Sequence, residues 1–144
     1  MQIEEVGEVT DALLLALRGL IRELAPGAPP LTRDRLQEIV SSDACRLLVA
    51  RAEGGEPLGM LILASYPIAS GRRCWIEDVV VASAARGQGI GEALLRRAVE
   101  LARAAGAHSL DLTSRPAREA ANRLYLRLGF VRRETNVYRL ELNR

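Results

Sequence analysis

The sequence predicts one α/β (α+β) domain, residues 1–144, built on a mixed β-sheet. Three observations lead there. Runs of strand type pair first by a hairpin and then alternate with helical stretches, an order that mixes antiparallel and parallel neighbours. The 144 residues are 49% hydrophobic and 26% charged, which supplies one core and leaves no room for two ordinary domains. The apolar spacing also switches from strand to helical period across residues 86–95, "RGQGIGEALL", as in a strand–loop–helix unit.

In chain order, "MQIEEV" reads as a short strand, and "TDALLLALRGLIREL" has apolar residues at helical spacing behind Thr10 as N-cap. "APGAPP" breaks the chain, and Thr32 then caps a second helix, "RDRLQEIV". "CRLLVARAEGGEPLGMLILASYP" reads as two strands joined by a turn at Gly54 and Gly55, and "RRCWIEDVVVA" is a third run of strand type. From Gly89, residues Ile90, Ala93, Leu94, Ala98, Leu101 and Ala105 form one stripe that stops at Gly106. "HSLDLTS" reads as a strand, "REAANRLYLRLGF" as a helix ending at Gly129, and "VRRETNVYRLEL" as one or two closing strands. No internal repeat or low-complexity linker interrupts this order.

Bulk chemistry removes several functions. Net charge is only +2 and the basic residues are scattered, so a nucleic-acid-binding stripe is absent. All 20 basic residues are arginine, which rules out acylation of this chain's own lysine side chains. Cys45 and Cys74 are too few for a disulfide framework or a metal site, and both read as reduced, buried small hydrophobes. The lone His108, at the start of a strand, lacks the companions a metal would need. No apolar run approaches the roughly 20 residues of a membrane span, and no signal-peptide pattern opens the chain, so the expected compartment is the cytoplasm.

The glycine-rich loop carries the chemistry. Glycine lacks a Cβ, so the backbone at Gly87, Gly89 and Gly91 is free to adopt positive φ and to let a ligand approach its amides. A helix follows directly, and free N–H groups together with the positive end of the helix dipole favour a phosphate or pyrophosphate, with Arg86 at the mouth. The dinucleotide fingerprint GxGxxG fails, because Glu92 stands where its third glycine belongs, and no GK[ST] ending marks a nucleoside triphosphate loop.

What remains is Arg86, two residues, Gly89, one residue, Gly91. This resembles the [QR]xxGx[GA] loop that holds the acetyl-CoA pyrophosphate in the GNAT superfamily of N-acetyltransferases. "IEDVVVASAARGQGIGEALLRRAVELARAAG" is similar in length and order to the superfamily's fourth strand, loop and third helix, and "REAANRLYLRLGF" resembles its second motif, with Asn122, Tyr125, Gly129 and Phe130 in register. The resemblance implies a single N-acetyltransferase domain. It also implies a mostly antiparallel sheet of about six or seven strands flanked by about four helices, and acetyl-CoA as acyl donor.

Several roles follow from it. Arg86, Gly87, Gln88, Gly89, Ile90 and Gly91 would hold the pyrophosphate, and the amides of Val79 and Val81 would bind the pantetheine arm. Asn122 and Tyr125, three apart on one helix face, could meet the same ligand. The tyrosine hydroxyl would assist departure of the CoA thiolate. Full proton transfer from an ordinary tyrosine, pKa near 10, to a thiolate of conjugate pKa near 8.5 is uphill by roughly 2 kcal/mol, so hydrogen bonding suits it better.

The acceptor would be a primary amine of a small molecule, attacking directly in a ternary complex. An amine protonated at neutral pH needs a base. Glu77 and Asp78 are the candidates, and strand alternation would place Glu77 with Val79 and Val81. Trp75 occupies the position where histone-type relatives carry their acid, so a water chain is the alternative to either. Arg115 and Arg118 could meet the 3′-phosphate of CoA or an acidic acceptor, and Asn136 or Tyr138 could line the acceptor cleft. Two rival functions are a protein or peptide N-acetyltransferase and a non-catalytic acyl-CoA-binding regulator. "NVYRLEL" could pair across two subunits of a homodimer or lie on an edge of its own chain.

Overall fold

The computed structural model describes residues 1–143, which fall into two compact units, Met1–Leu112 and a second that begins at Thr113. The first unit contains a five-stranded sheet in the order β1-β2-β3-β4-β5, formed by Gln2–Glu5, Cys45–Arg51, Pro57–Ile68, Gly71–Val81 and Leu110–Asp111. The first three pairings are antiparallel and β4 with β5 is parallel. Helices α1 (Asp11–Leu24) and α2 (Arg33–Ser41) begin where the sequence places them, because Thr10 Oγ1 accepts from the Leu13 amide and Thr32 Oγ1 from the Arg35 amide, each at 3.1 Å.

Both faces of the sheet are covered, which is why β2 and β3 read as continuous apolar runs. Leu13, Leu14, Leu17 and Leu20 of α1 and Leu36 of α2 share one core with Leu47, Val49, Met60, Ile62 and Val80. The alternate residues Leu48, Ala50, Leu61 and Leu63 point the other way and are equally buried. Helix α3 (Ile90–Ala104) lies on that second face, burying Ile90, Leu94, Leu95, Ala98, Leu101 and Ala102. It ends at Gly106, φ 83°, as its C-terminal glycine predicts.

Gly59 lets α3 approach this closely. A Cβ there would stand 2.9 Å from the Val80 carbonyl oxygen and 3.3 Å from side-chain atoms of Ile90 and Leu94. Gly59→Ala should therefore destabilise the protein by about 1–3 kcal/mol, because the atom it meets first is backbone. Thermal unfolding would check this, and an unchanged midpoint would mean that α3 can retreat freely.

The second unit holds α4 (Glu119–Arg127), which ends at Gly129, φ 98°. Three sequence expectations need correction. The sheet has five strands rather than six or seven, β5 is two residues instead of the whole of "HSLDLTS", and residues 131–143 form no strand. An alternating sequence becomes a strand only when a neighbouring edge completes its hydrogen bonds. Val137 and Tyr138 are 75% and 88% exposed, and Leu140 and Leu142 are similarly open. Cys74 is buried as expected, but Cys45 is only half-buried.

Candidate active site

The glycine-rich loop forms from a regular strand, a single turn and two permissive residues. Beyond β4 the chain makes a 3-10 turn, Ser83–Ala85, and then passes through Gly87 at φ 80° and Gly89 at φ 76°. Gly89 is the N-cap of α3, in left-handed conformation and with no side-chain cap. Added Cβ atoms at Gly87 and Gly89 would meet nothing within 4 Å. Residues 86–89 are exposed, and the first turn of α3 has no side-chain cap and carries the positive end of the helix dipole. That is an arrangement that favours an anion.

β4 changes character just before this loop. Met60 pairs with Val80 and Ile62 with Glu77, so two steps on β3 face three on β4, a β-bulge containing Asp78 at φ 51°. The bulge overturns the alternation argument for Glu77. Cross-strand partners share a face, so Glu77 lies with Ile62 on the side of Val80, while Val81, paired with Gly59, lies on the opposite side together with Val79. An inserted residue reverses the parity of everything beyond it.

The bulge leaves the backbone directions clear. Ala82 donates to the Leu58 carbonyl at 2.8 Å, so its N–H faces β3, and alternation turns the N–H of Val81 toward the other edge. There β5 pairs only with Cys74 and Trp75, so among the described residues no strand runs beside that edge of β4 past Trp75. Glu77 and Asp78 are exposed on the same stretch. Desolvation raises the pKa of Glu77, with the Asp78 charge as a second cause, and desolvation alone raises that of Asp78. Each therefore holds a proton more readily than an ordinary carboxylate.

In the second unit, Tyr125 is buried and packs edge-on against Phe130, ring centroids 5.9 Å apart. Burial pushes the pKa of its phenol up, opposed by the charge of Arg118. Asn122, one turn earlier, is already engaged, since its Nδ2 donates to the Arg115 carbonyl at 3.0 Å and so holds the loop that precedes α4. Arg115, Arg118, Asn136, Tyr138 and, in the first unit, His108 are all exposed. Ser114 Oγ is shielded from solvent without a hydrogen-bond partner, a group that a bound ligand could satisfy.

The sequence model of the acetyltransferase (GNAT) family matches residues 14–130. The chain belongs to this family. It is 35% identical over 130 residues, 83% of this chain and 74% of the relative, to glucosamine 6-phosphate N-acetyltransferase 1 of Oryza sativa subsp. japonica. It superposes with a TM-score of 0.76 on an acetyltransferase of Trypanosoma brucei, at 29% identity over 98% of this chain and 100% of the other. An aminoglycoside N-acetyltransferase solved in complex with CoA gives a TM-score of 0.78 at 20% identity, covering 99% and 95%, a likeness of fold. This GNAT protein is an N-acetyltransferase whose acyl donor is acetyl-CoA.

The structure singles out two residues that the sequence does not. Gly59 carries no signal in the sequence, because its role depends on α3, which begins 31 residues downstream. Glu23 is an exposed residue near the end of α1. Its one legible signal was a carboxylate in the last turn of α1, where the helix dipole disfavours negative charge. No helix among the described residues is long and apolar enough to cross a membrane.

Proposed function

We propose that the chain is a single N-acetyltransferase domain that moves the acetyl group of acetyl-CoA to the primary amine of a small molecule, by direct attack in a ternary complex. The observation that carries this reading is the open, uncapped N-terminus of α3 behind Gly87 and Gly89, set beside a strand edge that ends its pairing at Trp75. Arg86 and residues 87–91 hold the pyrophosphate, and the Val79 and Val81 amides bind the pantetheine arm. Asn122 supports the cofactor through the loop it ties.

Acetyl-CoA supplies the acetyl group as a thioester, which forms a new C–N bond as its C–S bond breaks. The amine proton passes to Glu77, whose raised pKa suits it to accept one, and the departing sulfur takes a hydrogen bond from Tyr125. An amino sugar phosphate is the first acceptor to try, on the strength of the rice relative's activity. The test is a panel of amino sugars, their phosphates, aminoglycosides and peptides, read by CoA release. Turnover restricted to small amines supports the reading. Turnover restricted to peptides, or none beside tight acetyl-CoA binding, replaces it with a protein acetyltransferase or a regulator.

Glu77→Gln should lower kcat/KM by about 10²–10⁴ and remove its limb from the acid side of the pH profile. The base works as the carboxylate, so activity falls as pH drops through a value raised above 4.5. Asp78→Asn should move that limb downward, because it removes the neighbouring charge. Loss of the limb in Asp78→Asn instead would transfer the role to Asp78.

We also propose that two copies associate through residues 137–142, whose apolar side chains stand exposed outside any strand. Sedimentation of the full chain should give a dimer, and Leu140→Glu a monomer. A monomeric wild type would overturn this proposal.

A further inference from the structure

We propose that Glu23 is a positioning residue for acetyl-CoA binding, fixing from α1 the 3-10 turn that leads into the glycine-rich loop. The inference rests on the reading of residues 86–91 as the pyrophosphate site. Glu23 Oε1 accepts from the Ser83 amide at 3.0 Å, a tie between residues 60 positions apart in the chain. The Ser83 side chain and the charge of Arg86 also favour the carboxylate form. Together they hold its pKa below the ordinary value against the opposing effect of burial.

The turn needs outside support. Its own bonds are one of normal length, Ala85 amide to Ala82 carbonyl at 2.9 Å, and one weak, Arg86 amide to Ser83 carbonyl at 3.5 Å. Upstream, Ala82 is anchored to Leu58, but downstream come Gly87 and Gly89, which permit the loop conformation without enforcing it. A loop left free would lose conformational entropy each time it closed on a ligand. Glu23 removes part of that freedom in advance, at the residue where the turn begins and three positions before Arg86. A carboxylate in the last turn of a helix is disfavoured by the helix dipole, so the partner that stabilises Glu23 is the loop.

The test is calorimetric titration of the full chain with acetyl-CoA, beside thermal unfolding. Glu23→Ala should weaken binding roughly five- to ten-fold, the effect of one hydrogen bond, with a nearly unchanged unfolding midpoint because the tie is solvent-exposed. Glu23→Gln keeps an acceptor oxygen and should recover most of the loss. Ser83→Pro removes the donor instead. Proline suits the first position of a helical turn, and Ala82, at φ −52° and ψ 135°, already has the backbone of a residue that precedes proline.

Ser83→Pro should match Glu23→Ala, and the double variant should be no weaker than either single one. Unchanged affinity in Glu23→Ala, additive losses in the double variant, or no recovery in Glu23→Gln would each overturn the proposal. A wild-type chain that fails to bind acetyl-CoA would instead overturn the assignment of the loop.

Discussion

Gly89→Val should abolish acetyl-CoA binding, with a loss of about 100-fold or more, while the chain still folds. Gly89 sits at φ 76°, where an ordinary L-residue costs about 1–2 kcal/mol and a β-branched one more, so some stability is lost. Stability is the smaller effect. The valine side chain would project into the open space over the first turn of α3, where no atom of the protein stands within 4 Å of an added Cβ. Phosphate oxygens would be kept from the amides, and each charge-assisted hydrogen bond lost there is worth about 1.5–3 kcal/mol. Two such losses are enough for the predicted fall.

Gly89→Ala separates strain from blockage, because it brings nearly the same backbone cost with one carbon in the way. It should bind measurably and weakly. Calorimetry with NAD and ATP as controls checks both variants, and a valine variant that folds and binds like wild type would show that the loop does not hold the pyrophosphate.

The second large effect is on turnover. Tyr125→Phe should lower kcat by about 10- to 100-fold, the value of a hydrogen bond to a charged group, and leave acetyl-CoA affinity within about two-fold. Burial raises the phenol pKa, which makes full proton transfer to the departing thiolate still more uphill than from an ordinary tyrosine. A hydrogen bond to the developing negative charge needs no such transfer. The same shift keeps the hydroxyl protonated throughout the neutral range, so the alkaline limb of the pH profile should not report Tyr125. Steady-state kinetics with the best acceptor of the panel decides the matter, and undiminished turnover in the variant removes Tyr125 from the chemistry. Phe130 should still pack against the new ring, since the edge-on contact does not use the hydroxyl.

These effects trace to different levels of organisation. Local chemistry was legible along the chain: Thr10 and Thr32 cap their helices as hydroxyl residues before apolar spacing do, and Gly106 and Gly129 end theirs at positive φ. The strand, loop and helix around Gly87 and Gly89 were equally readable, because a glycine pattern and a change of apolar period are properties of a few consecutive residues. Family membership followed from the same stretch together with Asn122 and Tyr125.

Tertiary structure decided what depends on a distant partner. The bulge at Asp78 is set by β3 opposite it, and that single extra residue moved Glu77 to the face of Val80, against the simple alternation of its sequence. Residues 131–143 alternate like a strand and form none, because a strand has no hydrogen bonds of its own and takes them from a neighbour. Gly59 matters only because Ile90 and Leu94 arrive over it, and Glu23 only because the fold brings Ser83 to its carboxylate. Short-range signals determined the helices, their caps and the glycine-rich turn. Long-range pairing determined which carboxylates and amides stand on which side of the strand, since a face of a sheet is fixed by its partners.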